Sequence, residues 1–334
     1  MRTQLNSHVK LLIVLAAVNI VIISILTILS PTFMTYGNLS SVMQRMSELA
    51  MLAIAETIVL ISGGIDLSIG ATMALAGAVS GILYKLGIPL EYCIIAALLS
   101  GVGVGLLNGF LVVEMKLQPF IVTIATMTII RSIVYALLQG NVLTGFPAKY
   151  VDLGYVYIFK IPLLFIIMIF FAVLAILLLK KTSLGRRIFS VGANENTAYI
   201  SGIYVKRIKY FAYIASGFIC AAAGLLFCIR IRASIPDAGI NAPLEVISAV
   251  LIGGTAITGG KGSVVGSLLG ILAMYLLLNG FSLLGLNPFW EVIILGIILI
   301  YVVGQENISK NIKGLIVNII KSRKSAAKAS LSER

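Results

Sequence analysis

Residues 59–76 read VLISGGIDLSIGATMALA, an apolar helical pattern that is broken by a short polar segment. The break holds Gly63, Gly64, Asp66 and Ser68 among residues that otherwise favour lipid. A carboxylate and unpaired backbone groups are costly at membrane depth unless they face protein or a watery cavity. Because transporters often place their sites at interrupted helices, we predict that this break forms part of a substrate pathway. The alternative is structural, with Asp66 serving only as the N-cap of the next helix.

The composition of the whole chain supports a membrane protein. Its 334 residues are 60% hydrophobic and 11% charged, with a mean hydropathy of +1.09. A soluble domain of this size needs more polar surface to face water. Continuous apolar runs near the roughly 20 residues that cross a bilayer predict an all-α, polytopic helical membrane protein.

The positive charge indicates topology rather than a nucleic-acid partner. The net charge is +13, and sixteen of the 25 basic residues lie in three polar segments. These segments are the N-terminus with Arg2 and Lys10, residues 180–209, and residues 305–334. The positive-inside rule places all three in the cytoplasm. We therefore predict that the N- and C-termini are cytoplasmic.

Ten spans satisfy this charge pattern, because six separate the first two basic segments and four separate the last two. They are 11–29, 49–62, 67–83, 92–113, 118–138, 162–179, 210–229, 245–258, 263–284 and 288–303. Spans 49–62 and 245–258 are short, since fourteen residues rise only about 21 Å against a hydrocarbon core of about 30 Å. The predicted transmembrane domain covers 1–304, and 305–334 form a basic cytoplasmic tail.

Each short helix is followed by a glycine-rich break and then by a longer helix. The first break reads LISGGIDLSIGA and the second reads LIGGTAITGGKGSVVGS. Corresponding glycine-interrupted segments in two halves of a chain indicate a transporter site. We predict that the bundle flexes at Gly63 and Gly64 and at the second set of glycines, Gly253, Gly254, Gly259 and Gly260. The alternative is that these small residues only allow helices to pack closely.

Three further polar residues lie within apolar spans, where polar groups tend to face a cavity or a partner. They are Glu56, Asn108 and Arg131, and we assign them to the substrate pathway. A buried guanidinium needs an anionic partner, and Asp66 or Glu56 is the predicted partner of Arg131. That pair could lock two helices together rather than contact substrate.

A metal site is not predicted. The cysteines Cys93, Cys220 and Cys228 lie in apolar runs without CxxC spacing, and the single histidine, His8, lies near the N-terminus. No constellation of His, Cys or paired acids suggests an embedded enzyme.

The segment 180–209 is the longest polar interruption inside the apolar body. We predict a short helix from Glu195 to Ser201, capped by Asn194 and ended by Gly202. Gly185 and Gly192 are predicted at turns or close approaches. Such a helix between two spans suits the docking of a cytoplasmic partner, whereas the alternative is a solvated loop that only fixes orientation.

Five ordered motifs resemble those of ribose-type ABC importer permeases, the membrane subunits of simple-sugar uptake systems. They are SGGIDLSIGA (62–71), LNGFLVVEMKLQPFIVTIATMTIIR (107–131), GRRIFSVGANENTAYISGI (185–203), AVLIGGTAITGGKGSVVGSLLG (249–270) and GLNPFW (285–290). The resemblance implies that 185–203 meets the ATPase subunits. It places the coupling function on Gly185, Arg186, Gly192, Asn194, Glu195, Ala198, Ser201 and Gly202.

The resemblance also implies the partners. They are two cytoplasmic ABC ATPase subunits, a periplasmic or lipid-anchored sugar-binding protein, and a second permease subunit in a homo- or heterodimer. The implied cargo is a ribose-like pentose, another monosaccharide or a sugar-like signal, crossing the bacterial inner membrane. This chain has no GxxxxGK[ST] loop, so ATP is expected on the partners, with no cofactor here and no enzymatic activity. The alternative is an ion-coupled secondary transporter that uses Asp66 or Glu56.

Overall fold

The computed structural model describes residues 2–287 and the isolated positions 290, 293, 296, 297 and 300, with side chains described from residue 9 onward. Two compact units comprise Met1–Pro288 and Phe289–Arg334. All helices with stated bounds lie in the first unit. The predicted span 288–303 and the predicted tail 305–334 lie outside the continuously described residues.

The described chain is built almost entirely from helices. In chain order they are α1 Arg2–Leu29, α2 Tyr36–Ile61, α3 Ile69–Lys85, α4 Leu90–Val113, α5 Pro119–Leu138, α6 Ala148–Val151, α7 Leu163–Lys181, α8 Ser183–Ala193, α9 Glu195–Ile200, α10 Val205–Ile231, α11 Ala242–Ile252 and α12 Val264–Leu283. Two small antiparallel pairs join the ends of helices. They are β1 Leu143–Thr144 with β4 Ala233–Ser234, and β2 Tyr157–Ile158 with β3 Ile161–Pro162.

The protein is an all-α, multi-pass membrane protein. Six helices of the described part, α1, α4, α5, α7, α10 and α12, are long and apolar enough to cross a bilayer. Helices α3 and α11 are apolar but shorter. The predicted total of ten spans is not confirmed.

The prediction of a short helix at 49–62 is wrong. Helix α2 has 26 residues and begins at Tyr36, which gives it a length of about 39 Å. Polar residues in its first half, such as Gln44 and Glu48, hide this helix from a search for apolar runs. Glu48 is tolerated because Arg230 of α10 pairs with it. The second short helix is present as α11, but it ends at Ile252 rather than 258.

Helix α10 lies at the centre of the first unit and packs against α2, α3 and α4. Small residues bring α4 and α10 into backbone contact. A Cβ added to Gly101 would lie 2.2 Å from the carbonyl oxygen of Gly217, and one added to Gly105 would lie 2.3 Å from that of Tyr213. Interfaces between membrane helices depend on such close packing, because lipid supplies no hydrophobic drive for helices to associate. Glycine-mediated packing therefore fixes the scaffold around the first helix break.

Candidate functional site

Helices α2 and α11 end in the same backbone motif. Both finish with Val-Leu-Ile, and the next left-handed residues, Gly63 and Gly254, each have a φ of +84°. The following amides reach back to the same carbonyl of the motif, Gly64 N to Val59 O at 3.0 Å and Thr255 N to Val250 O at 3.2 Å. This Schellman arrangement explains why each helix stops at a glycine.

The two helix breaks meet at the end of α8, in a contact made of backbone atoms. We call this contact the glycine junction, and it consists of Gly63, Gly192, Gly259 and Gly260. The amide of Gly260 donates to the carbonyl of Ile61 at 2.9 Å. A Cβ added to Gly192 would lie 1.8 Å from that same carbonyl oxygen and 2.7 Å from the amide nitrogen of Gly260. The junction therefore excludes side chains at its centre.

The other predicted flexing glycines lie beside the junction rather than in it. A Cβ added to Gly253 would lie 2.5 Å from backbone atoms of Gly266 and Ser267 on α12, and one added to Gly254 would lie 2.2 Å from the side chain of Leu11 on α1. The hydrogen bond between Gly260 and Ile61 thus places the two breaks at one end of the bundle.

The predicted coupling segment is more helical than expected. The sequence predicts a loop that contains one short helix, whereas the structure has two helices, α8 and α9. Helix α8 was missed because its glycines were interpreted as turns. Gly185 lies inside α8, where a Cβ would come 2.3 Å from the carbonyl oxygen of Leu179, so its close approach is confirmed.

The predicted cap of α9 is confirmed. Asn194 Oδ1 accepts from the amide of Thr197 at 2.8 Å, and Gly202 follows the helix with a φ of +79°. Glu195 forms an ion pair with Lys209 of α10. Ala198 is buried, while Arg186 and Ser201 are exposed. The segment is thus a folded structure that is anchored to the bundle.

A buried polar cluster holds the first break, and we call it the Asp66 cluster. Its members are Glu56, Asp66, Ser68, Asn108 and Ser216, all of them buried. The Oδ1 of Asp66 accepts from the amide of Ser68 at 3.0 Å and from its hydroxyl at 2.6 Å. The Oδ2 accepts from the hydroxyl of Ser216 on α10 at 2.8 Å. One carboxylate therefore ties the break to the central helix.

Two further side chains complete the Asp66 cluster. The amide of Asn108 on α4 donates to the hydroxyl of Ser68 at 2.9 Å, and both carboxylate oxygens of Glu56 accept from the backbone amide of Asp66 at 3.2–3.3 Å. The buried Oδ1 of Asn108 has no hydrogen-bond partner among the described residues. Four of the predicted pathway residues are thus brought together. Ser68 is the N-cap of α3 by position, and Asp66 bonds to Ser68 instead of capping the helix itself.

The predicted pairing of Arg131 with Asp66 or Glu56 is wrong. Its Nη1 donates to the backbone carbonyls of Pro236 and, at 2.8 Å, of Ala238. One turn further along α5, the hydroxyl of Tyr135 donates to Asp237. Arg131 therefore holds the connection between α10 and α11, because that connection folds back over this part of α5.

A second polar site was not predicted. Glu48 and Arg230 form a two-pronged ion pair, with Nε to Oε1 at 2.5 Å and Nη2 to Oε2 at 3.0 Å. Both line a cavity of about 230 Å³ together with Asp237, Asn241 and Tyr275. The acid at position 48, just before the apolar run that begins at Leu49, was the available signal, and its partner lies 182 positions away in sequence.

Comparisons with known proteins show similarity to membrane permeases over most of the chain. The family described as "Branched-chain amino acid transport system / permease component" matches residues 38–303. The ribose import permease protein of Haemophilus influenzae is 35% identical over 86% of this chain and 90% of its own length, and that of Bacillus subtilis is 36% identical over 85% and 88%. The D-allose transport system permease protein of Escherichia coli is 31% identical over 86% and 89%.

No solved structure matches the chain. The relatives are named as permease components, so the protein is a transport component and not itself a catalyst. The motifs occur in the expected order, and the similarity extends over most of the chain. The chain therefore belongs to the ribose-type family of ABC importer permeases.

Proposed function

We propose that this chain is the membrane-spanning permease subunit of an ATP-driven importer for a small sugar. The glycine junction is the observation that carries the proposal. There, the end of α8 touches both helix breaks through backbone atoms, so a displacement of α8 is passed to both breaks at once. The cargo class follows from relatives that are named for ribose, allose and xylose.

The proposed mechanism is alternating access. ATP binding closes two partner ATPases, which move α8 and α9, and the helices that end at Ile61 and Ile252 rock in response. Tyr199 and Ile200 are 74% and 84% exposed on α9, which suits them to docking on a partner protein. In this mechanism the ATPases contact the exposed face of α9, and the glycine junction transmits their movement to the two helix breaks.

The proposed assembly contains two permease subunits, identical or different, two ATPases, and a sugar-binding protein that is periplasmic or lipid-anchored. It lies in the bacterial inner membrane with both termini of this chain in the cytoplasm. ATP is bound by the ATPases, and this chain needs no cofactor.

A specific observation supports a second candidate, an ion-coupled secondary transporter. Glu56 and Asp66 are buried acids of the Asp66 cluster, in which the carboxylate of Glu56 accepts from the backbone amide of Asp66, and a transporter coupled to protons uses buried acids. However, the oxygens of Asp66 are occupied by Ser68 and Ser216. This arrangement favours a structural role for the carboxylate.

Uptake by proteoliposomes distinguishes the two candidates. The chain is reconstituted with the ATPase and binding protein from its own genome and offered labelled D-ribose, D-allose and D-xylose. We expect accumulation that requires ATP and is lost when residues 192–202 are scrambled, whereas scrambling the exposed residues 157–161 serves as the matched control. Accumulation that needs an ion gradient and no ATPase would overturn the proposal.

Replacing Asp66 with leucine is expected to lower uptake at least about tenfold, because the buried hydroxyls of Ser68 and Ser216 lose their hydrogen-bond acceptor. Each buried donor left without a partner costs about 1–3 kcal/mol of stability. The melting temperature of the purified protein should fall as well. The matched control is Asp152→Leu, since that carboxylate is exposed and lies 3.6 Å from Arg232. Full uptake and an unchanged melting temperature for Asp66→Leu would contradict the role of this carboxylate in holding the first break against α10.

Gly64→Val is expected to slow uptake several-fold without preventing membrane insertion. A Cβ at this position would lie 2.7 Å from the hydroxyl of Tyr213 and 3.0 Å from the side chain of Val59, so the first break must shift. Gly103→Val is the control, because a Cβ at Gly103 meets nothing within 4 Å. Initial uptake rates and membrane levels are measured for both variants. Normal uptake by Gly64→Val would count against a moving break.

A further inference from the structure

The cavity beside Glu48 has the size and walls of a site for a small polar molecule. Its volume is about 230 Å³, just below the roughly 300–1,000 Å³ of pockets for drug-sized ligands. Six elements contribute walls: α2, α3, α10, the connection from α10 to α11, α11 and α12. Such a space suits one monosaccharide better than a disaccharide.

The cavity lies far from the glycine junction. Along α2, Glu48 is thirteen residues from Ile61, which corresponds to about 20 Å. Along α10, Arg230 is twenty-one residues from Lys209, the partner of α9, which corresponds to about 32 Å. Under the proposed function the coupling end is cytoplasmic, so the cavity lies toward the opposite side, where an imported molecule arrives.

The walls of the cavity offer the groups that recognise sugar hydroxyls. Glu48, which is only 4% exposed, is fixed in place by Arg230. Carboxylates accept hydrogen bonds, guanidinium groups donate them, and the amide of Asn241 can do both. Tyr275 adds an aromatic ring and a hydroxyl. A sugar hydroxyl, which is both donor and acceptor, finds partners of either kind.

The wall of the cavity that the α10–α11 connection forms is held in position by neighbouring elements. Asp237, Gly239 and Asn241 belong to the connection between α10 and α11, which also carries the carbonyls that accept from Arg131. A Cβ added to Gly70 of α3 would lie 2.0 Å from the carbonyl oxygen of Gly239. The backbone of this connection is therefore preorganised, which lowers the entropy cost of binding.

We propose that this cavity binds one neutral monosaccharide during import, through Glu48, Arg230, Asp237, Asn241, Glu245 and Tyr275. The proposal rests on the proposed function and deepens it, because it assigns the sugar to these side chains rather than to the Asp66 cluster.

The charge of the lining distinguishes a neutral sugar from other cargoes. Three acids, Glu48, Asp237 and Glu245, line the cavity, and Glu48 is paired with Arg230. A sugar phosphate would bring its own negative charge close to these acids. A neutral polyol avoids this cost.

Protection of an introduced cysteine tests the proposal directly. The three native cysteines are buried, so Asn241→Cys gives one accessible thiol in the cavity. The side chain of Asn241 makes no capping bond to α11, and its loss should leave that helix intact. The matched control is Asn141→Cys, on an exposed segment outside the cavity. The full chain is used in proteoliposomes with its ATPase and without nucleotide.

Modification by a small cationic methanethiosulfonate is followed with and without D-ribose, D-allose, D-xylose or L-leucine. We expect at least one sugar to slow the reaction at position 241 about threefold, as when its concentration is about twice its dissociation constant. The reaction at position 141 should not change. Equal rates with and without every sugar, or protection by L-leucine alone, would overturn the proposal.

Protection does not depend on how transport is driven. If uptake proved to need an ion gradient instead of the ATPase, the proposed function would fail, yet protection at position 241 by a sugar would still support the cavity. Conversely, ATP-driven sugar uptake with no protection at position 241 would retain the proposed function and remove the cavity from it.

Discussion

Gly192→Val is expected to lower ATP-dependent sugar uptake at least about tenfold, because overpacking the glycine junction separates α8 from both helix breaks. The first carbon of the new side chain would lie 1.8 Å from the carbonyl oxygen of Ile61 and 2.7 Å from the amide nitrogen of Gly260, where the two backbones now share a hydrogen bond. Neither contact can be relieved by rotating a side chain.

The measurement pairs uptake with ATP hydrolysis in the reconstituted importer. We expect hydrolysis to continue while uptake is lost, since the exposed face of α9 is unchanged. Ser190→Val is the control, because it places the same side chain at an exposed position of α8. If Gly192→Val transported at the rate of Ser190→Val, the glycine junction would not transmit the motion.

Arg230→Leu is expected to destabilise the purified protein by about 3–5 kcal/mol, because it leaves the buried carboxylate of Glu48 without its partner. Removing both charges in the double variant Glu48→Leu/Arg230→Leu should restore most of this stability, since buried ion pairs are often replaceable by apolar groups of similar volume. Thermal unfolding in detergent, followed for the single and double variants, provides the comparison.

Uptake separates the structural from the functional role of this pair. The double variant should be stable and yet transport poorly, because the cavity has lost a hydrogen-bond acceptor and a donor. Arg232→Leu is the control, as that guanidinium is exposed and 3.6 Å from Asp152. A double variant that is stable and fully active would show that the pair serves stability alone.

The sequence was most informative where local rules decide the structure. A Gly-Gly or Ser-Gly-Gly sequence after an apolar run ends a helix because the left-handed residue favours glycine, and both breaks were found on this basis. The cap of α9 by Asn194 follows the same local logic.

The sequence was least informative where a polar residue is satisfied by a distant one. Helix α2 was shortened in the prediction because Glu48 reads as a break, whereas Arg230 neutralises it from the other half of the chain. Arg131 was paired with an acid because a buried charge needs a partner, but backbone carbonyls of the α10–α11 connection serve instead. Neither pairing has a local signature, so the cavity between these elements could not be found.

The coupling segment has two faces of different composition. Toward the bundle it presents the backbone of Gly192 and the buried side chains of Ile188 and Val191, and away from the bundle it presents exposed side chains such as Tyr199, Ile200 and Tyr204. The closely packed buried face has little freedom to change by substitution, whereas the exposed face can change without disturbing it. Residues on the exposed face can therefore be substituted independently of the contact that α8 makes with the two helix breaks.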